Sequence, residues 1–296
     1  MDSGSPADPL DPPFLVLDPA TPVAPVVFAS PHSGNVYPPH FVSSVRLDAI
    51  SLRSSEDAFI DELFTAAPQL GMPLIKARFP RAYVDVNREP WELDPGMFAD
   101  RLPDYVNHSS PRASAGLGTI ARIVANGAEI YTRKLSFAEA KQRIETLYMP
   151  YHERLAALLL EMRRGWQGSL LVDCHSMPSL AGPQERNEGR RRVDFVLGDC
   201  HGQSCTRGIT DLVERTLREF GYEVARNDPY AGGFTTRHYG RPQDGRHALQ
   251  IEINRSLYMD ERSMTLRPYF ATLASQITRL MAVLREHVRA QLARPA

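Results

Sequence analysis

Leu170-Leu171-Val172-Asp173-Cys174-His175-Ser176 has the pattern of a central strand in a buried sheet. It begins as a short apolar run, as a strand buried on both faces requires. It ends by setting an aspartate and a histidine at the strand's carboxyl end. Desolvating an ionisable group is costly unless it is paired or metal-bound, so buried strands avoid such residues. Two further stretches repeat the pattern. Ala24-Pro25-Val26-Val27-Phe28-Ala29 is followed by Pro31-His32-Ser33-Gly34, and Ala248-Leu249-Gln250-Ile251-Glu252-Ile253-Asn254-Arg255 carries a carboxylate inside a strand-like run. Three such intrusions predict a metal site at the edge of one sheet, and a metal site there points first to hydrolysis.

Working outward, the sequence predicts strands over 23–30, 74–78, 82–86, 169–174, 193–197 and 247–253, with a short one around Val224. Ser54 and Ser55 offer an N-cap for a helix to about Gln69, with Phe59, Ile60, Leu63 and Phe64 on one stripe. Ser136-Phe137-Ala138-Glu139 reads as a capping box, and the helix it starts should kink or break near Pro150. Helices are also expected over 203–220, stopped by Gly221, and over 264–291. Residues 89–116 and 227–245 read as long irregular loops, which in compact proteins are usually functional. Alternation of strands and helices argues for a three-layer α/β/α sandwich with a mixed, mostly parallel sheet. Ligands of such sheets bind beyond the carboxyl ends of the strands, where His32, His175 and Asn87-Arg88 fall.

The chain of 296 residues is near the upper size for one core, and without a repeat or linker it reads as one domain over 14–296. Residues 1–13 hold three aspartates and four prolines and read as a flexible leader, not a signal peptide. A net charge of -1 gives no reason to expect nucleic acid or an anionic membrane as partner. No apolar run approaches the roughly 18 residues of a membrane span. Three cysteines, Cys174, Cys200 and Cys205, are no disulfide framework, and a cytoplasmic protein is expected. Oligomeric state is not legible. No Walker-A loop, dinucleotide fingerprint, nucleophile elbow or His-Glu-x-x-His motif is present.

A zinc-type hydrolytic site needs three protein ligands and an open position. His32 and His175 supply two, and Asp173 beside His175 suits the carboxylate pairing that fixes a ligating imidazole. Glu56 and Asp57 are equal candidates for the third on the residues alone. Glu252 shares its strand face with Gln250 and Asn254 and is suited to act as general base toward activated water. Arg88 with Asn87 suits bidentate grip of a carboxylate, and Arg81, Arg237, His238, Arg241 and Arg255 add cationic groups at loop ends.

These motifs resemble the N-formylglutamate amidohydrolase family over nearly the whole chain after the leader. The resemblance rests on Ser30-Pro31-His32-Ser33-Gly34, Glu56-Asp57 with Asp61-Glu62-Leu63-Phe64, Tyr83-Val84-Asp85-Val86-Asn87-Arg88, Leu171 to Met177, Gly232-Gly233 with Arg237-His238-Tyr239-Gly240, and Gln250 to Arg255. It implies a zinc-exopeptidase-like fold, related to zinc carboxypeptidases and aspartoacylase-type deacylases. It implies zinc or another divalent metal on His32, Asp57 and His175, with Glu56 as the alternative acidic ligand. It implies Glu252 and Arg88 as catalytic residues, and Asn87, Arg88, Arg81, Arg237, His238 and Arg255 toward the substrate. Metallocarboxypeptidases carry their acidic ligand three residues after the first histidine; here that position is Asn35. The implied reaction is metal-dependent hydrolysis of N-formyl-L-glutamate to formate and L-glutamate. The alternatives are a related metal amidase or carboxypeptidase-like enzyme with another N-acyl amino acid, and a non-catalytic carboxylate-binding module.

Overall fold

The computed structural model describes residues 9–124, 126–182 and 188–293. Seven strands form its main sheet: β1 (Phe14–Leu17), β2 (Val26–Ser30), β3 (Leu74–Ala77), β4 (Ser169–Met177), β5 (Phe195–Gly198), β6 (Val224–Arg226) and β7 (Arg246–Asn254). Their order is β1-β3-β2-β4-β7-β5-β6. The pairs β2–β3, β2–β4, β4–β7 and β5–β6 are parallel, while β1–β3 and β5–β7 are antiparallel. The sheet is therefore mixed and mostly parallel, with its longest strands, β4 and β7, paired along their whole length.

Alternation along the strands divides the interior in two. Val26, Phe28, Leu170, Val172, Leu249 and Ile251 face one core, which the helices Arg207–Glu219 and Phe270–Gln291 close. Val27, Ala29, Leu171 and Ala248 face a second core, which the helices Phe137–Arg143 and Met149–Arg163 close. Helices on both faces of the sheet make the α/β/α sandwich. Among the described residues no helix is long and apolar enough to cross a membrane.

Several local expectations need correction. The helix expected from Ser54 to Gln69 is broken: Ser54 instead ends a helix at Ala49–Arg53, Phe59 takes a left-handed conformation (φ 65°), and only Ile60–Leu63 and a 3-10 turn at Pro68–Leu70 coil again. The backbone between is used to reach β2, with the Asp57 N–H donating to the His32 carbonyl at 3.0 Å. Residues 82–86 form turns, not a strand. The Pro80 carbonyl accepts from Tyr83 and Val84, and the Asp85 N–H is taken by the Thr119 carbonyl. Their buried apolar side chains, which suggested a strand, pack into the second core. Pro150 does not break its helix; a π-helical turn at Ile144–Tyr148 precedes it and the helix continues. The loop 227–245 contains a helix at Phe234–Tyr239, and the last helix starts at Phe270. Residues 1–8 of the expected leader lie outside the described residues. Leu10 is buried, and Arg78 holds the Pro12 carbonyl through its side chain and that of Pro13 through its backbone.

Candidate metal centre and substrate cavity

The carboxyl ends of β2, β4 and β7 deliver the chemistry. In the register of β4 with β7, Asp173 stands opposite Gln250 and His175 opposite Glu252. Their odd–even phase puts all four on the second-core face with Leu171 and Ala248. His32 follows β2, where Gly34 is required, because a Cβ there would collide with the backbone carbonyls of Arg78 and Phe79. Asp57 arrives from the non-helical turn tied to the His32 carbonyl.

The ligand atoms of His32, Asp57 and His175, all buried, lie within 4.8 Å of one another. Asp57 Oδ2 is 3.4 Å from His32 Nδ1 and 3.0 Å from His175 Nδ1. The far nitrogen of each imidazole meets a carboxylate: His32 Nε2 lies 2.7 Å from Asp85 Oδ1 and His175 Nε2 lies 3.0 Å from Asp173 Oδ2. The other Asp57 oxygen, Oδ1, accepts from Ser176 Oγ at 3.0 Å and Arg255 Nη2 at 3.2 Å. Glu56 is turned away, its carboxylate accepting from Arg53 and from the Tyr37 hydroxyl.

This donor set fits a divalent cation. His32 Nδ1 is buried and has no hydrogen-bond partner, yet faces a carboxylate oxygen that a second imidazole also faces. Carboxylate-backed imidazoles are the usual support of metal-ligating histidines. The charges agree. Burial raises the Asp57 carboxyl, but hydrogen bonds and charge from His175 and His32 hold it well below the usual carboxylate range. Burial likewise opposes Asp85, and Arg81, Arg88 and His32 hold it low. His175 is lowered by burial but held well above its ordinary value by Asp173, Asp57 and Glu252. Four buried carboxylates around two imidazoles thus call for positive charge at this point.

Glu252 borders the same space. Gln250 Nε2 donates to its Oε1 at 2.7 Å, and the Gly233 N–H fixes Gln250 through its Oε1 at 2.9 Å. Burial pushes the Glu252 carboxyl up to about 7, with Asp57 and Asp173 acting in the same direction and His175 and Arg81 against. Asn87 Nδ2 lies 3.2 Å from His175 Nε2 and donates to Asp173 Oδ2 at 3.4 Å. Its Oδ1 accepts from the Thr235 N–H at 2.8 Å. Gly233 packs so closely on this amide that a Cβ would collide with it.

A cavity of about 660 Å³ opens over these groups, lined among others by Arg81, Arg88, Arg112, Arg192 and Arg255. Arg81 donates to Asp85 Oδ2 at 2.7 Å. Arg88 donates to the carbonyls of Leu117 and Asn87. Arg255 lines the cavity but spends its guanidinium on Asp57, Ser176 and the Ser54 carbonyl. Arg237 and His238 are not brought to the cavity. Both are exposed on the Phe234–Tyr239 helix, Arg237 donating to the Gly232 carbonyl and His238 stacking on Phe234. Sequence reasoning missed Asp85 as the partner of His32 and Gln250 as the brace of Glu252. The only signal for Asp85 was its place in the Asp85-Val86-Asn87-Arg88 run, while its partner lies 53 residues away.

Residues 24–259 match the family model of N-formylglutamate amidohydrolase. The chain is 29% identical to N-formylglutamate deformylase of Pseudomonas aeruginosa over 91% of its own length and 93% of that protein. It is 29% identical to N-formylglutamate deformylase of Pseudomonas putida, over 80% and 82% of the two chains. A crystal structure of N-formylglutamate amidohydrolase from Ralstonia eutropha superposes with a TM-score of 0.87 at 38% identity, covering 94% of this chain and 99% of that one. With a match spanning both imidazoles, Asp57 and Glu252, the chain belongs to the N-formylglutamate amidohydrolase family.

Proposed function

We propose that this protein hydrolyses N-formyl-L-glutamate to formate and L-glutamate, using a divalent metal, zinc in the first instance, held by His32, Asp57 and His175. The observation that carries the reading is the buried His–Asp–His group, each imidazole backed by its own carboxylate, beside Glu252 in one cavity. The names of the relatives supply the substrate. Zinc bound there supplies Lewis acidity, which polarises a carbonyl and makes water a stronger acid.

The remaining work falls to the protein. Asp85 and Asp173 hold the imidazoles with Nδ1 toward Asp57, and Arg255 with Ser176 keeps Asp57 charged and fixed. Glu252 takes a proton from the water that attacks the formyl carbon, and returns it to the amide nitrogen as the C–N bond breaks. A carboxyl held at about 7 is matched to both transfers near neutral pH. Arg88, with Arg81 behind it, takes a substrate carboxylate. A cytoplasmic location belongs to the same proposal, in keeping with three free thiols at Cys174, Cys200 and Cys205. Formate release by the purified protein tests the reading against a panel of N-formyl and N-acetyl amino acids. N-formyl-L-glutamate should be the best substrate, and faster turnover of another acyl group would overturn the assignment.

A further inference from the structure

The cavity is lined by more arginines than the Arg88 and Arg81 assigned above to a substrate carboxylate. Arg81, Arg88 and Arg112 line it together, and Asp85 is paired with the first two. Arg81 and Arg88 are tied down by Asp85 and by the carbonyls of Leu117 and Asn87. Arg112 differs. It is exposed, and among the described residues its guanidinium has no hydrogen-bond or ion-pair partner. Its backbone is nonetheless fixed at the rim. Ser110 caps the Pro111–Ser114 turn through the Arg112 and Ala113 N–H groups, and the Ser110 hydroxyl is itself bonded to Glu92. The Arg112 carbonyl accepts from Leu117, and Ala113 is buried. Burial, with the charges of Arg112 and Arg81, draws the Arg88 guanidinium down to about 10 against the pull of Asp85 and Glu92. The cations therefore repel one another across the cavity, and an anion placed among them is stabilised by all three.

We infer that Arg112 is a specificity-determining residue that binds the side-chain carboxylate of the substrate, while Arg88 takes the other carboxylate. The inference rests on the proposed deformylase reading and adds to it a reason for preferring acidic amino acids. A rim cation with no partner among the described residues gains a charge-assisted bond only when the substrate carries a second carboxylate. A neutral isostere offers Arg112 one amide oxygen and no charge to pair.

The test compares N-formyl-L-glutamate with N-formyl-L-glutamine, its uncharged isostere, on the wild type, Arg112→Gln and Arg112→Lys. For Arg112→Gln we expect kcat/KM on N-formyl-L-glutamate to fall about 10- to 100-fold, mainly through KM, the size of one lost hydrogen bond to a charged group. N-formyl-L-glutamine turnover should fall no more than about threefold, the size of a weak neutral hydrogen bond, and zinc content and melting temperature should stay as in the wild type. Arg112→Lys should recover part of the loss, since it keeps the charge but not the planar fork. Equal losses on both substrates, or no loss on N-formyl-L-glutamate, would overturn the inference while leaving the deformylase reading intact. A wild-type protein that releases no formate from N-formyl-L-glutamate would overturn both.

Discussion

Asp85→Asn isolates the support of His32 from its ligand atom. In the native protein the carboxylate serves three donors: Oδ1 accepts from His32 Nε2 at 2.7 Å and from the Asn87 N–H at 2.8 Å, and Oδ2 accepts from Arg81 at 2.7 Å. An amide of the same shape has one oxygen to offer. Its NH2 must face Arg81 or the His32–Asn87 pair, donor against donor. Removing the carboxylate behind a ligating histidine costs about 10- to 100-fold in metal affinity, roughly 1.4–2.8 kcal/mol. The additional donor clash puts the expected loss at the upper end, about 100-fold. Competition for zinc against a chromogenic chelator measures it, with circular dichroism to show that the variant is folded. Folded Asp85→Asn protein that binds zinc within about threefold of wild type would refute the reasoning that Asp85 orients a metal ligand.

Other changes probe other parts of the site. Glu252→Gln should keep its zinc and lose about 10²- to 10⁴-fold in kcat, and near-normal turnover would remove Glu252 from proton transfer. Tyr148→Phe removes the hydroxyl that donates to the Arg88 carbonyl at 2.7 Å. It should cost about 1 kcal/mol in denaturant unfolding and raise KM, and an unchanged KM would separate the π turn from the site. His152 is half-buried between the Val86 carbonyl and the Tyr239 hydroxyl, and loss of solvation draws it down to about 4. The unfolded chain therefore takes up this proton first. Stability should be full above about pH 6.5 and fall by up to about 3 kcal/mol as pH drops toward 4. Urea unfolding of wild type and His152→Gln across that range reads the difference, and parallel curves would contradict it.

The sheet was legible because its central strands are apolar runs, and hydrophobic periodicity is a local signal. The site was legible where its residues end or interrupt those runs: His32 just past β2, and Asp173, His175 and Glu252 within β4 and β7, are exceptional for their positions. What failed was the segment whose conformation is set by distant partners. Residues 54–69 offer a cap and a helical stripe, but the Asp57 N–H is claimed by the His32 carbonyl, a tertiary bond no local pattern reveals. Residues 82–86 are as apolar as a short strand yet are held in turns by Pro80 and Thr119. Arg237, His238 and Arg255 show the same limit for side chains. Sequence identifies cations near the site, but only geometry tells that two point to solvent and one holds Asp57.

Turnover should depend on a metal carried by His32, Asp57 and His175. The measurement that tests it most directly is formate release from N-formyl-L-glutamate by wild-type protein and His175→Ala, before and after chelation and with zinc restored. Wild-type activity should vanish with chelator and return with zinc, and His175→Ala protein should neither retain zinc nor recover. Wild-type turnover that persists in fully chelated protein, or a metallated and active His175→Ala variant, would contradict it.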